Sequence, residues 1–169
     1  MKKFELTAEF VTNVFGKKLF RIKALVAFGD VEKGELGGFI EKEDNLSHDG
    51  NAWVYGNARV SGNARVSGNA RVFGNARVYG NAQVSGDARV YDDADYAVVK
   101  GFGRCFRTTT FFRCKDKILR VQCGCFYGDL AQFREIVKKT HGDSKYAKEY
   151  LAIADLMELH FSDECGGEQ

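Results

Sequence analysis

Proline is absent from the 169 residues, which removes a collagen-like helix from consideration. No apolar run exceeds a few residues, against the roughly 20 needed to cross a bilayer, so no membrane-spanning helix is expected. Histidine is scarce, at three residues. Acid is missing from one region altogether: no Asp or Glu lies between Gly50 and Gly86. Met1-Lys2-Lys3 has the charge of a signal-peptide start, but Glu5, Glu9, Lys17 and Lys18 interrupt any apolar stretch behind it. Five cysteines are an odd set without an export signal, so they read as reduced thiols and the expected compartment is the cytoplasm. Aromatics are not scarce. Fourteen Phe and seven Tyr exclude disorder for most of the chain.

From Gly50 the chain reads GNAWVY, GNARVS, GNARVS, GNARVF, GNARVY, GNAQVS, GDARVY and DDADYA, an unbroken six-residue period to residue 97. One slot holds Ala52, Ala58, Ala64, Ala70, Ala76, Ala82, Ala88 and Ala94, and a second holds Val54 through Val90. Between them lies Trp53, Arg59, Arg65, Arg71, Arg77, Gln83, Arg89 and Asp95. Small-in, charged-out, branched-in is strand alternation. Gly-Asn then breaks it at residues that tolerate left-handed angles. On a 3.6-residue helix the same slots would precess around the axis, so the period predicts a solenoid of very short strands.

These hexads resemble the bacterial transferase hexapeptide superfamily. That resemblance implies a left-handed parallel β-helix with three hexads per triangular coil. The stretch FGDVEKGELGGFIEKEDNLSHDGNAWV, residues 28–54, is similar to small phage or prophage hexapeptide proteins. With 18 residues per coil, Tyr55, Phe73 and Tyr91 form one outer column and Trp53, Arg71 and Arg89 another. Arg59 stacks under Arg77 and Asp95, and Asn51 under Asn69 and Asp87. Like charges stacked on adjacent strands disfavour one another, so the Arg columns suggest an acidic partner. The alternative is a solvated face on which Arg stems cover the coil.

The flanks predict a mainly β protein in four parts. Residues 1–45 are expected to hold a hairpin over 4–25 and an irregular first coil, with Gly34, Gly37 and Gly38 as turn material and Phe39, Ile40 and Leu46 as its apolar residues. Residues 46–100 form the β-helix and 101–162 a ββαα module. In that module Thr108–Arg113 and Ile118–Phe126 make a hairpin. Asp129 caps a helix that ends at Gly142, and Ser144 caps a second. Residues 163–169 are expected to be a frayed tail. The two ends of so short a solenoid should be closed by its flanks.

The preferred functional reading is a non-catalytic binding protein without a cofactor. The resemblance implies a phage or mobile-element origin and a host protein or protein–nucleic acid complex as partner, with inhibition of a bacterial defence system such as CRISPR as its purpose. Partner contact is assigned to Trp53, Tyr55, Phe73, Tyr91 and Arg59, Arg65, Arg71, Arg77 and Arg89. A secondary basic patch is assigned to Arg104, Arg107, Arg113, Lys115, Lys117 and Arg120, set against Asp116 alone. Homo-oligomerisation, as a trimer or dimer, accounts for outer aromatics equally well. The family implies a second reading, a trimeric acyltransferase using acyl-CoA or an acyl carrier. It would need a general-base imidazole, for which His48 is the candidate, but no inserted loop walls a pocket. A third is direct nucleic-acid binding through Arg65, Arg71 and the 102–120 hairpin. The net charge of +2 and 23 acidic residues weigh against it. No metal is expected: Leu119, Val121, Cys123 and Cys125 share one alternating, apolar face, and Cys105 and Cys114 complete no paired CxxC pattern.

Overall fold

The computed structural model describes residues 1–162. The expected tail, 163–169, lies outside the described residues. The chain begins with an antiparallel hairpin of β1 (Phe4–Thr12) and β2 (Lys18–Ala24). Strand β3 (Leu36–Ile40) pairs antiparallel with β2 on one edge and parallel with β5 on the other. It thereby converts a hairpin sheet into the first face of a solenoid.

The repeat follows as seven two-residue strands: β4 (Trp53–Val54), β5 (Arg59–Val60), β6 (Arg65–Val66), β7 (Arg71–Val72), β8 (Arg77–Val78), β9 (Gln83–Val84) and β10 (Arg89–Val90). They stack in parallel every 18 residues: β4-β7-β10 on one face, β3-β5-β8 on the second and β6-β9 on the third, where Leu46 adds a bridge to Val66. Ala and Val fill the inside. Every Ala from Ala52 to Ala88 and every Val from Val54 to Val90 is fully buried. The corners need glycine for two reasons. Gly50 sits at φ +71°, and a β-carbon there would stand 2.5 Å from the Gly68 carbonyl oxygen of the next coil.

The hydrogen bonding between coils is polar, and this decides what the ends require. Each coil donates N–H groups to the carbonyls of the coil 17 residues ahead, as Trp53 N–H does to Ala70 O at 3.1 Å and Arg65 N–H to Ala82 O at 2.9 Å. The starting edge therefore presents carbonyls, and donor side chains meet them on all three faces. Lys3 Nζ donates to Ala52 O (2.9 Å) and Gly50 O (3.3 Å). Asn45 Nδ2 donates to Ala64 O (2.8 Å) and Gly62 O (3.1 Å). Arg21 donates to Gly37 O and Gly56 O. The finishing edge presents N–H groups, which meet acceptors: Asp93 for Arg77, Asp95 for Tyr91 and Thr110 for Gln83.

Lys3 is almost wholly buried, with its ammonium over the Phe28 ring. Burial pushes its pKa down from 10.5 to about 8, against an opposing pull from Asp49. Below pH 8 both folded and unfolded chains carry the charge, and the folded one is penalised for it. Between pH 8 and 10.5 the unfolded chain alone holds the proton, so stability rises with pH through that window. The expected gain is about 1–3 kcal/mol. It is measured as urea stability at pH 7.5 and 10 relative to Lys3→Met, which should lack this part of the rise.

Four details differ from the sequence reading. Gly37 and Gly38 are strand residues, not turn material: β-carbons there would meet Ile22 and Val54 O, or Ala58 O, within 2.6 Å. The last hexad does not form a coil, and Ala94 is exposed. Asp92 instead caps a short 3-10 turn, Asp93–Asp95, by accepting from Ala94 N–H. Asp95 therefore leaves the Arg59–Arg77 column and pairs with Arg113 (3.6 Å). Finally, the C-terminal sheet has four strands, not two: β11 (Tyr96–Phe102), β12 (Arg107–Arg113), β13 (Leu119–Cys123) and β14 (Phe126–Asp129). Since β11 begins at Tyr96 and pairs with β12, the sheet starts before residue 101.

Helices α1 (Leu130–His141) and α2 (Lys145–His160) follow, capped by the Asp129 and Ser144 side chains as expected. They pack on one side of the sheet around Phe111, Val121, Phe133, Tyr150 and Ile153. The next residue of β12, Phe112, points the other way and joins the Ala/Val core of the solenoid. Alternation along one strand thus binds the two cores together.

Candidate functional site

The face β4-β7-β10 is not an open surface. Trp53 does stack in register with Arg71 and Arg89, but the assignment of Trp53 to partner contact is corrected: its side chain is 0% exposed. The N-terminal segment roofs it, with Phe28 and Phe4 edge-on at 5.3 and 6.3 Å. Arg71 is held by a two-pronged ion pair with Asp30 of the same segment. Hydrogen bonding to Arg71 holds the Asp30 carboxyl below the usual carboxylate range. Arg89 turns back on the coil and donates to Asn69 O, Asp87 O and Ala88 O. The adjoining corner carries the aromatic column as expected: Tyr55, Phe73 and Tyr91 stack at 4.8 and 4.7 Å with nearly parallel rings. Tyr91 stands open at its end, while the other two are half-buried.

The face β3-β5-β8 is different. Arg59 and Arg77 lie in register on adjacent strands, and among the described residues neither guanidinium has an ion-pair partner. Above them hangs the tip of the β1–β2 hairpin. Asn13 folds that tip by accepting from Phe15 and Lys17 N–H, which leaves Val14 90% and Phe15 85% exposed. Tip and face enclose a groove of about 370 Å³ lined by Val14, Phe15, Leu19, Arg59, Arg77 and Tyr79 among others. Its one carboxylate, Asp93, is occupied by the Arg77 backbone amide (2.7 Å). The sequence reading named both arginines but missed Val14, Phe15 and Tyr79. Two consecutive apolar residues beside Asn13 and Gly16 in a hairpin turn were the available signal, because a turn tip has no core to enter.

On the third face Arg65 is exposed and Gln83 meets the C-terminal sheet. The second basic cluster is not one patch. Arg104 and Arg107 lie at the start of β12 and Lys115 and Lys117 beyond its other end, about 20 Å away along the strand. In between, Arg113 bonds Phe161 O and Asp95, and Arg120 pairs with Asp116 at 2.9 Å.

His48 is placed structurally. Its Nδ1 accepts from Lys3 N–H at 3.1 Å, so its Nε2 carries the proton toward Glu43 Oε1 at 2.7 Å. The ring stacks on Phe4 at 4.3 Å. A general base needs a free lone pair facing its substrate, and neither nitrogen offers one. Cys125 is corrected as well: Gly124 turns the chain at φ +58°, so Cys125 leaves the β13 face and is exposed. Among the described residues no three His, Cys, Asp or Glu side chains are grouped to hold a metal ion, and no helix is long and apolar enough to cross a membrane.

A second cavity, of about 470 Å³, lies in the C-terminal part between the β11–β12 turn, the β13–β14 turn and the last turns of α1. Sequence reasoning did not find it, because it assembles Arg104, Arg107, Cys105, Cys125, His141 and Tyr150 from four separate segments.

No curated protein matches the chain. The YdcK beta solenoid repeat matches residues 52–68, 58–72, 64–80, 70–86 and 82–94, the same stretch in which Ala and Val fill the parallel coils. Over residues 52–94 the chain is therefore similar to that repeat, and its middle is a β-solenoid in sequence as in structure.

Proposed function

We propose that this chain is a non-catalytic binding protein, a left-handed β-helix of the hexapeptide kind with its hairpin and C-terminal sheet as end caps. In this reading it is phage or mobile-element encoded and acts in a bacterial cytoplasm by binding a host macromolecule, with inhibition of a defence system as its purpose. The observation that carries the reading is the groove under the hairpin tip. A rigid parallel coil holds Arg59 and Arg77 side by side without counter-charge, directly below Val14 and Phe15. Monomeric proteins rarely leave such apolar residues grouped in solvent, and stacked like charges are relieved by an acidic partner. A host protein with an acidic, apolar-centred surface fits both requirements. The occupied lone pair of His48 and the covered face of Trp53 leave this groove as the surface best suited to contact.

The test is solution mass by light scattering, in buffer and after incubation with bacterial extract, on wild type, Phe15→Asp and Arg77→Glu. The expected result is a complex of higher mass with wild type, reduced about tenfold or more in affinity by either variant, as for a buried anchor in an interface. A fixed homotrimer or homodimer in buffer that takes up nothing further assigns the groove to self-association. A single-chain mass in both conditions overturns the proposal.

A further inference from the structure

We infer that the 470 Å³ cavity of the C-terminal part binds a small organic carboxylate with an apolar body, a site separate from the groove proposed above. Its volume lies within the range of ligand pockets. Apolar walls come from Phe126, Phe133, Ile136 and Val137, and two guanidiniums, Arg104 and Arg107, stand among its lining. No carboxylate lines the cavity, and among the described residues neither arginine has an ion-pair partner. Two uncompensated cations beside an apolar chamber are matched by one anionic head on an apolar body, since guanidinium forks bind carboxylate oxygens in pairs.

The arginines are held in place. Gly103 N–H donates to Glu149 Oε2 at 2.9 Å and the Tyr150 hydroxyl to Phe102 O at 3.2 Å, so α2 fixes the β11–β12 turn on which Arg104 lies. Arg107 lies across Gly124, where any side chain would displace its guanidinium. Tyr150 in turn stacks on His141 at 5.8 Å.

The head group is a monoanion for a physical reason. Thr140 and His141 are the last residues of α1, and both line the cavity. A helix C-terminus carries partial negative charge, which penalises a phosphate dianion more than a carboxylate. No run of free backbone amides is available in the lining to offset that penalty. The carboxylate therefore belongs at the arginine end and the apolar body along Ile136 and Val137.

Octanoate titrated into the full chain by calorimetry is the direct test, with 1-octanol and octyl phosphate as comparison probes. Saturable octanoate binding in the micromolar to millimolar range is expected, with 1-octanol weaker. Arg104→Gln and Arg107→Gln should each weaken octanoate about tenfold or more, with circular dichroism and thermal midpoint unchanged. Because Arg107 also packs on Gly124, Ile136→Glu serves as the second variant: it leaves both arginines in place but sets a like charge on the half-exposed wall, and should weaken octanoate more than 1-octanol. Absence of saturable octanoate binding to the folded chain overturns the inference. Equal binding of octanoate and 1-octanol removes the arginines from it, and tighter binding of octyl phosphate overturns the carboxylate assignment.

Discussion

Trp53→Ala should cost about 3–5 kcal/mol of stability, the range for removing a large aromatic from a packed interior. Trp53 is among the largest fully buried side chains, enclosed by Phe4, Phe28 and the coil below it. The surrounding segment cannot collapse into the gap, because Lys3 is tied to Gly50 and Ala52 carbonyls and Asp30 to Arg71. Urea denaturation followed by circular dichroism measures the loss. The native protein supplies an independent check, since Trp53 is its sole tryptophan. Its emission should be blue-shifted and resistant to aqueous quenchers until the chain unfolds. A loss below about 1 kcal/mol, the level of an exposed site, together with a quenchable emission, would place Trp53 on the outside with the arginines.

The second large effect is expected at Asn45. This residue is fully buried and makes three hydrogen bonds: its Oδ1 accepts from Lys42 N–H at 2.8 Å, and its Nδ2 donates to Gly62 O and Ala64 O. Asn45→Asp keeps size and the acceptor but turns a carboxylate oxygen toward two carbonyls. The expected loss at pH 7 is at least about 3 kcal/mol, since an unpaired buried charge replaces two satisfied donors. The sign of the pH dependence follows. The folded state prefers the protonated acid, so the folded pKa of the new carboxyl lies above its unfolded value. Stability is then recovered below the unfolded pKa and lost as pH rises through the folded one. Asn45→Leu should also destabilise, through stranded carbonyls, but without that pH dependence. Stability of both variants measured from pH 4 to 8 separates charge from lost packing. A pH-independent Asn45→Asp would show that the carbonyl edge is open to water.

How much of this could be read from the chain depends on what each residue answers to. The inward placement of Ala52–Ala88 and Val54–Val90 was legible because alternation and an 18-residue stack are properties of the local repeat. The pairings Trp53–Arg71–Arg89 and Arg59–Arg77, and the Tyr55–Phe73–Tyr91 column, follow from the same count. Helix ends at Asp129, Gly142 and Ser144 were legible because caps are chosen by adjacent backbone. Trp53 was not, because it occupies an outward slot and only the returning segment 1–31 covers it. Nor were Gly37 and Gly38, whose need is set by Ile22, Val54 and Ala58 across the fold. The candidate groove was half legible: Arg59 and Arg77 come from the repeat, whereas Val14 and Phe15 reach them only through the hairpin's attachment at β3.

The repeat by itself determined a parallel coil with methyl groups inside, because a six-residue period constrains every side chain to one of six environments without reference to the rest of the molecule. Tertiary structure alone decided which outward residues meet water. The same Arg slot is neutralised by Asp30 at Arg71, turned onto carbonyls at Arg89 and left open at Arg59 and Arg77. The coil ends show why: a parallel stack leaves carbonyls at one end and N–H groups at the other. The nonrepeating flanks must fold back to satisfy them, and where they land determines which face of the prism is covered.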